Sequence, residues 1–356
     1  MSIENLKEEL RSREDFMIEK FRAKELSPVW MHDFVWEKIG TPYVNEQLED
    51  IRAFDIGHIN LSLYAETKEN RYVLQRLWSW RYTKEQIEKL EYNYLHYKNA
   101  CETAAEKGVI LECPQWIRDR EGQFFRIEGG DYWRMYQMIT GDMLKPKITD
   151  DELVVCGAGL AKLHYVLSFF PEKPHAVYPF LHDLTYYFEE YCLQEKSDKY
   201  RVPEMDRVIE EKIGGYLKLS YPKEDVVHGD AKLGNMIVSG NRVKAFIDLD
   251  TLMVGSRLED IADLIRSCCN YREEEEAYII KMVLKGYQAA AKELSGDMML
   301  TKEEAELMPD IVDKICFELG LRYYTDHLSG GGYFIERFSG ENLQKAKQWL
   351  LQEMPD

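Results

Sequence analysis

The sequence predicts an α+β fold of two lobes, a small β-rich one followed by a larger, mainly helical one. Two observations predict it. Apolar residues alternate in short runs bounded by turn residues as far as about residue 139, and recur at helical spacing beyond it. Thr140-Gly141-Asp142 and Pro146 punctuate the chain where the period changes, in the manner of a hinge. The expected division is a charged helical extension over 1–50, a β-rich lobe over 51–139 and a helical lobe over 140–356.

The extension opens with Ile3 to Lys24, predicted as a surface helix, and a second short helix is expected over Pro28 to Ile39. Arg52 to Thr67 reads as two strands parted near Gly57, Lys68-Glu69-Asn70 as a turn, and Arg71 to Trp78 as a third strand. Thr83 to Ala105 is a helix: Thr83 and Gln86 fit a capping box, and Ile87, Leu90, Tyr94, Tyr97 and Cys101 recur at helical spacing. Strands follow at Gln115 to Ile117, Gln123 to Glu128 and Tyr132 to Ile139, separated by Arg120-Glu121-Gly122 and Gly129-Gly130-Asp131. Past the hinge, helices are expected over Asp151 to Ser168 (capped by Thr149 with Glu152), Leu181 to Gln194, and Pro203 to Leu217, whose proline sits where a missing N–H costs nothing. A two-stranded island interrupts them, Val226 to Val238 and Arg242 to Leu249 around Ser239-Gly240-Asn241. Leu258 to Cys269, Glu273 to Leu294 and Thr301 to His327 complete the set, the last capped by Thr301 with Glu304.

The chain has 356 residues, 45% of them hydrophobic, enough for a large core or two coupled lobes. Its formal net charge of −18 repels a phosphate backbone and an anionic lipid surface, which argues against nucleic-acid and membrane partners. A nucleotide stays possible, because backbone N–H groups and a divalent cation can hold phosphates locally. None of the 7 cysteines forms a C-x-x-C pair, so scattered buried thiols are expected rather than a zinc site. Met1 to Arg13 lacks an apolar signal core, and Leu153 to Phe170 is broken by Lys162 and His164, so the chain reads as cytoplasmic.

The most informative stretch runs from His228-Gly229-Asp230 through Lys232 to Asn235, after the apolar Val226-Val227, and is followed by Phe246-Ile247-Asp248-Leu249-Asp250. A strand ending at Val227 delivers Asp230 into a tight loop, where its carboxylate can meet an acceptor hydroxyl. Asn235 leaves the same loop, and the hairpin returns Asp248 beside it. One amide oxygen and one carboxylate then stand ready for hard cations that bridge nucleotide phosphates. An ordinary turn closed by polar residues is the bland alternative. Four polar residues at fixed spacing on two apolar strands, after a β-rich lobe and a hinge, outweigh it.

This pattern resembles the phosphotransferase superfamily of aminoglycoside and choline kinases, whose fold is protein-kinase-like and two-lobed. Further pieces are similar to the N-acetylhexosamine 1-kinases, which phosphorylate the anomeric oxygen of N-acetylglucosamine and N-acetylgalactosamine: Gly57-His58-Ile59-Asn60, Arg71-Tyr72-Val73-Leu74-Gln75, Ile247 to Thr251, Gly255-Ser256, Leu319 to Tyr323, and Tyr333-Phe334. The likeness runs from about Asp55 to about Phe334. It implies ATP as co-substrate and Mg²⁺ as metal, Asp230 as base or orienting carboxylate, and Asn235 and Asp248 as Mg²⁺ ligands. It also implies Asp250, Arg322 and Tyr333 as sugar contacts and Asp260 as a brace for the catalytic loop.

On the nucleotide side, Gly57, His58 and Asn60 are expected near phosphates, and Met138 and Ile139 are expected to present backbone groups to adenine. Gln75 stands where a phosphate-binding lysine is expected. Either it serves as a neutral donor, as the resembling sugar kinases imply, or Arg76 or another cation substitutes; Glu88 and Glu91 are not ranked as the partner acid. His164 is expected to be a packed core histidine. Two rival readings stay open: an aminoglycoside or amino-alcohol kinase, favoured by the net charge and opposed by Arg322, and a nucleotide-binding pseudokinase scaffold, favoured by the missing lysine. The oligomeric state is left open.

Overall fold

The alternating pattern of the first portion becomes one sheet. Strands β1 (Leu48–Ala53), β2 (Leu61–Thr67), β3 (Arg71–Leu77), β4 (Gln115–Trp116), β5 (Phe125–Glu128) and β6 (Asp131–Gln137) form it in the order β1-β2-β3-β6-β4, with β5 also on β6 and every pairing antiparallel. The structure is a computed structural model and describes residues 30–54, 60–142, 148–194, 200–270, 275–296, 299–334, 336 and 338–352. The expected surface helix over Ile3 to Lys24 lies outside these residues. A helical segment of π type, α1 (Trp30–Gly40), buries Val35, Trp36 and Ile39 in one core with Leu61, Leu63 and Trp133 of the sheet. This part of the expected extension packs on the small lobe's sheet, its apolar positions completing that core.

Helix α2 (Lys84–Glu106) is inserted between β3 and β4, and its Thr83–Gln86 capping box is made. Beyond the hinge come α3 (Asp150–Leu167), α4 (Leu184–Cys192), α5 (Pro203–Tyr216), α6 (Arg257–Cys269), α7 (Glu276–Leu294), α8 (Lys302–Glu306), α9 (Met308–Ser329) and α10 (Glu341–Leu351). The capping boxes at Thr149 and Thr301 are also made. Pro309 splits the helix expected over Thr301 to His327, since it lacks an N–H and crowds the carbonyl of the preceding turn. Among the described residues no helix is long and apolar enough to cross a membrane.

The β-island differs from expectation. It is two small sheets: β7 (Asp225–Val227) pairs with β10 (Met253–Gly255), and β8 (Met236–Ser239) with β9 (Arg242–Phe246). The stretch between β7 and β8 is loop and a 3₁₀ turn, Leu233–Asn235. The hinge is fastened to this island, with Asp142 and Val238 exchanging both backbone hydrogen bonds at 2.8 Å.

The largest core joins α3, α6, α7 and α9 beneath the island. Helices α3 and α7 meet through glycines: a Cβ on Gly286 would stand 1.9 Å from Val154 O, and one on Gly157 would stand 2.0 Å from Val283 O. Gly286→Ala is therefore expected to force the helices apart at a cost of about 3 kcal/mol, lowering the melting temperature by roughly 4 °C. Gly214→Ala in α5, where nothing lies within 4 Å of the added Cβ, is expected to leave it unchanged or slightly raised. Thermal melts of the two variants followed by circular dichroism check the contrast.

Candidate active site

Strand β7 ends at Val227, and the chain turns at once into a loop held by a buried carboxylate. Asp260, in the first turn of α6, accepts the N–H of His228 at 2.8 Å and of Gly229 at 2.9 Å, and His164 Nε2 lies 3.1 Å from it. Burial pushes Asp260 up, but His164 and His228 outweigh it and hold the carboxyl below its usual value. Asp260 thus braces the loop, and His164 is a buried core residue. Gly229 has φ +79°, and a Cβ there would meet Thr251 O at 2.5 Å, so glycine is required. His182, in the turn before α4, places Nε2 2.9 Å from Gly229 O and Nδ1 3.1 Å from Glu318 Oε1. Both partners accept, so the ring must carry both protons. Burial opposes that charge, Glu318 more than offsets it, and the pKa is pushed up to about 9.

Asp230 leaves this loop for the cleft. Its Oδ2 accepts from Lys232 Nζ at 2.6 Å and Asn235 Nδ2 at 3.0 Å, while Oδ1 has no partner among the described residues. Burial raises the Asp230 carboxyl and the Lys232 ammonium lowers it; the net direction is down, so it is ionised at neutral pH. Asn235 Nδ2 also donates to Asp230 O at 2.8 Å, and the amide oxygen has no partner among the described residues. Asn235 O accepts the Ile247 N–H at 2.9 Å, so the β8–β9 hairpin brings Asp248 next to it. Asp248 is in the left-handed region, φ 60° and ψ 52°, a conformation that costs a non-glycine residue about 1 kcal/mol or more. It opens onto the cleft and makes no hydrogen bond or ion pair among the described residues. Enclosure of its flanks, then the like charge of Asp250, push its carboxyl up to about 6.

That donor set suits a hard divalent cation. Among the described residues no three His, Cys, Asp or Glu side chains surround one point. A cation that takes its other ligands from phosphates and water needs only one or two protein oxygens, and Asp248 with the Asn235 amide oxygen supplies them.

On the nucleotide side, Gln75 is buried and its amide is already engaged. Its Nε2 donates to Ser62 Oγ at 3.1 Å, and its Oε1 accepts from Arg134 Nε at 2.8 Å. Arg134 in turn grips Asp250 through Nη1–Oδ1 at 2.7 Å and Nη2–Oδ2 at 2.8 Å. Asp250, expected at the sugar, is 3% exposed with both oxygens on Arg134. Arg76, the other candidate cation, pairs with Asp131 and lies over the Trp78 ring. Met138 gives its N–H to Arg71 O at 2.9 Å, so what the hinge offers is the Met138 carbonyl and the Ile139 N–H and C=O, none with a partner among the described residues. Asn60 is buried and donates to Tyr82 OH at 3.1 Å. Gly57 and His58 lie outside the described residues.

Arg322, one of the expected sugar contacts, sits on α9. Glu318, which holds His182 under the catalytic loop, and Arg322 are one turn apart on the same helix face. The Arg322 guanidinium lies 4.8 Å from the Tyr187 ring centre and 5.6 Å from those of Tyr333 and Phe334, and it donates to Tyr333 OH at 3.1 Å. Its Nε is buried with no partner among the described residues. Tyr333 is held in place by Asp326, which accepts the N–H of Tyr333 at 2.9 Å and of Phe334 at 3.1 Å.

A loop carboxylate with one open oxygen, beside an unpaired metal-type carboxylate between two lobes, is the layout of a phosphoryl-transfer site. The model of the phosphotransferase enzyme family, APH, matches residues 50–294. The chain belongs to that family. Solved structures agree on the fold of this phosphotransferase. Amicoumacin kinase, in complex with AMP-PNP, Ca²⁺ and amicoumacin, superposes with a TM-score of 0.60 at 13% identity, covering 94% of this chain and 95% of that one. The ternary complex of APH(2″)-IIa with streptomycin and ATP gives 0.55 at 15% identity over 93% and 98%. An aminoglycoside phosphotransferase bound to ADP and hygromycin B gives 0.56 at 13% over 91% and 96%. The phosphotransferase is a small-molecule kinase with a β-sheet small lobe and a helical large lobe.

The structure brings Asp230, Asn235 and Asp248 to one place and puts Arg322 with Tyr333 a helical turn from the catalytic loop's support. Lys232, Arg134, His182 and Tyr187 are the site residues that sequence reasoning did not single out. Lys232 had a signal, since it sits two residues after Asp230; the others come from distant segments.

The His182–Glu318 pair generates a pH prediction. Because the folded His182 pKa is raised above the unfolded value near 6.5, its stabilisation is complete below about pH 6.5 and is lost as pH rises through about 9. The loss is on the order of 3 kcal/mol. Thermal melts from pH 6 to 10 are expected to show this decline, and His182→Phe is expected to flatten it.

Proposed function

We propose that this phosphotransferase, acting in the cytoplasm, transfers the γ-phosphoryl group of ATP to the anomeric oxygen of an N-acetylhexosamine. Asp230 Oδ1 receives the hydroxyl. The carboxylate is a weak base, lowered by Lys232, which suits an anomeric hydroxyl, more acidic than an ordinary alcohol, and a loose transition state that needs little proton abstraction. The proton passes to Asp230 as the sugar O–P bond forms and the bond to the ADP oxygen breaks. Asp248 and the Asn235 amide oxygen would hold Mg²⁺, which neutralises phosphate charge when bound. The Met138 carbonyl and Ile139 backbone face adenine. The Lys232 ammonium beside Asp230 is placed to meet the transferred phosphoryl oxygens.

The observation that carries the acceptor class is Arg322, a cation packed among Tyr187, Tyr333 and Phe334 with a buried donor still unmet. Such a wall donates hydrogen bonds and stacks rings, and it repels a polycation. The chain's net charge of −18 is spread over a screened surface and says little about this pocket.

ADP release is expected with N-acetylglucosamine or N-acetylgalactosamine, and not with choline or aminoglycosides; turnover on those cations alone would overturn the acceptor reading. Asp230→Ala is expected to lower turnover on the order of 10³-fold while nucleotide affinity stays within about twofold. Asp248→Ala is expected to abolish the Mg²⁺ dependence of nucleotide binding, read by calorimetry with and without metal. Arg322→Met is expected to raise the acceptor KM about tenfold or more with the nucleotide KM unchanged.

A further inference from the structure

The site has a buried cation that the sequence did not single out, Arg134. Gln75 and Arg134 are direct cross-strand partners on β3 and β6, and Ser62 is the partner of Gln75 on β2. Their side chains run in one line across the sheet: Ser62 Oγ to Gln75 Nε2, Gln75 Oε1 to Arg134, and Arg134 to Asp250. The last link leaves the sheet. Asp250 belongs to the turn Leu249–Thr251 directly after Asp248, in the large lobe. The two side chains are only 3% and 5% exposed, and the Trp116 ring covers the guanidinium with its centre 4.7 Å away. The helix that would supply an acid in the usual arrangement does not reach inward: Glu88 and Glu91 of α2 lie outward, near Lys84 at 3.7 Å and Arg118 at 3.9 Å.

We propose that Arg134 and Asp250 are a lobe-spanning positioning pair, the cation moved from β3 to the adjacent strand and its acid moved from α2 to the metal-binding turn. Gln75 is then the amide that orients Arg134. A lysine at position 75 beside Arg134 would set two like charges together in a buried place, so the glutamine and the arginine go together. The fork of two hydrogen bonds fixes both distance and angle between sheet and turn, which a single ammonium contact does not. Through the turn it fixes Asp248, whose strained backbone needs such a restraint. In this arrangement the small lobe is tied to the metal turn directly, and α2 need not swing to complete the site.

The proposal rests on the cleft being a metal–nucleotide site and not on the identity of the acceptor, so its test uses Mg²⁺ and ADP. Wild-type protein that binds no Mg·ADP would overturn the nucleotide reading itself, before any variant is made. Arg134→Gln is expected to weaken Mg·ADP binding at least tenfold by calorimetry while metal-free ADP changes less than about twofold, and to lower turnover about 10²-fold. Arg134→Lys is expected to recover only part of this, since it keeps the charge and loses the fork. The double variant Gln75→Lys with Arg134→Gln, which returns the cation to β3 facing Asp250, is expected to bind Mg·ADP at least fivefold better than Arg134→Gln. A purely structural role is separated by the neutral pair Arg134→Met with Asp250→Leu, which removes both buried charges. Its melting temperature is expected to return towards wild type with Mg·ADP binding still weakened tenfold. Recovery of binding together with stability, or Mg·ADP affinity within twofold of wild type in Arg134→Gln, overturns the proposal. If Arg134→Gln does not fold, the neutral pair decides it by its melting temperature and its Mg·ADP affinity, both against wild type.

Discussion

A buried carboxylate that accepts two successive backbone N–H groups holds the catalytic loop in place, and much of the large lobe is organised around that constraint. Asp260 takes the N–H of His228 and of Gly229, so the loop cannot relax into a wider turn without leaving a buried charge unmet. The glycine's left-handed conformation then turns the chain sharply enough for Asp230 to face the cleft one residue later. His164 of α3 behind Asp260, and His182 in the turn before α4 on the far side of Gly229, close the loop from two directions. The position of the Asp230 carboxylate is thus set by buried groups behind the loop rather than by the loop's own sequence.

The charges lining the cleft are matched in a graded way. Asp230 is half-satisfied by Lys232 and Asn235 and keeps one oxygen open. Asp250 is wholly occupied by Arg134. Asp248, between them, has no partner among the described residues and is left in a strained backbone conformation. Opposed pairs at either end and an unpaired carboxylate in the middle make a site where a cation gains most at one position. The chain's overall acidity has little bearing on this, because fields from exposed charges decay within about 10 Å in salt while buried contacts persist.

Much of this was legible in the chain. The change of period near residue 139, the three capping boxes and the spacing from His228 to Asp248 are local signals, and local chemistry was enough to read them. The errors fell where pairing is set by distant partners. Strand β10 is three residues long, too short to alternate, and is defined by β7 some twenty-five residues upstream. Helix α10 carries Ala346 and Leu350 at helical spacing, and its burial depends on the α5 and α9 surfaces it covers. The place of Asp250 is the clearest case. The resemblance implied it as a sugar contact, whereas in the structure both its oxygens are held by Arg134 from the other lobe.

The sequence by itself determined the two-lobed order of elements, the loop that carries Asp230 and the hairpin that returns Asp248 beside Asn235, because each depends on residues close along the chain. Tertiary structure alone decided where the cation opposite Asp250 comes from, how Gln75 is spent, and which aromatic rings pack around Arg322. Those contacts join residues that are 59 and 116 positions apart. Periodicity and turn chemistry do not extend that far; only the packing of one lobe against the other fixes which buried charge meets which.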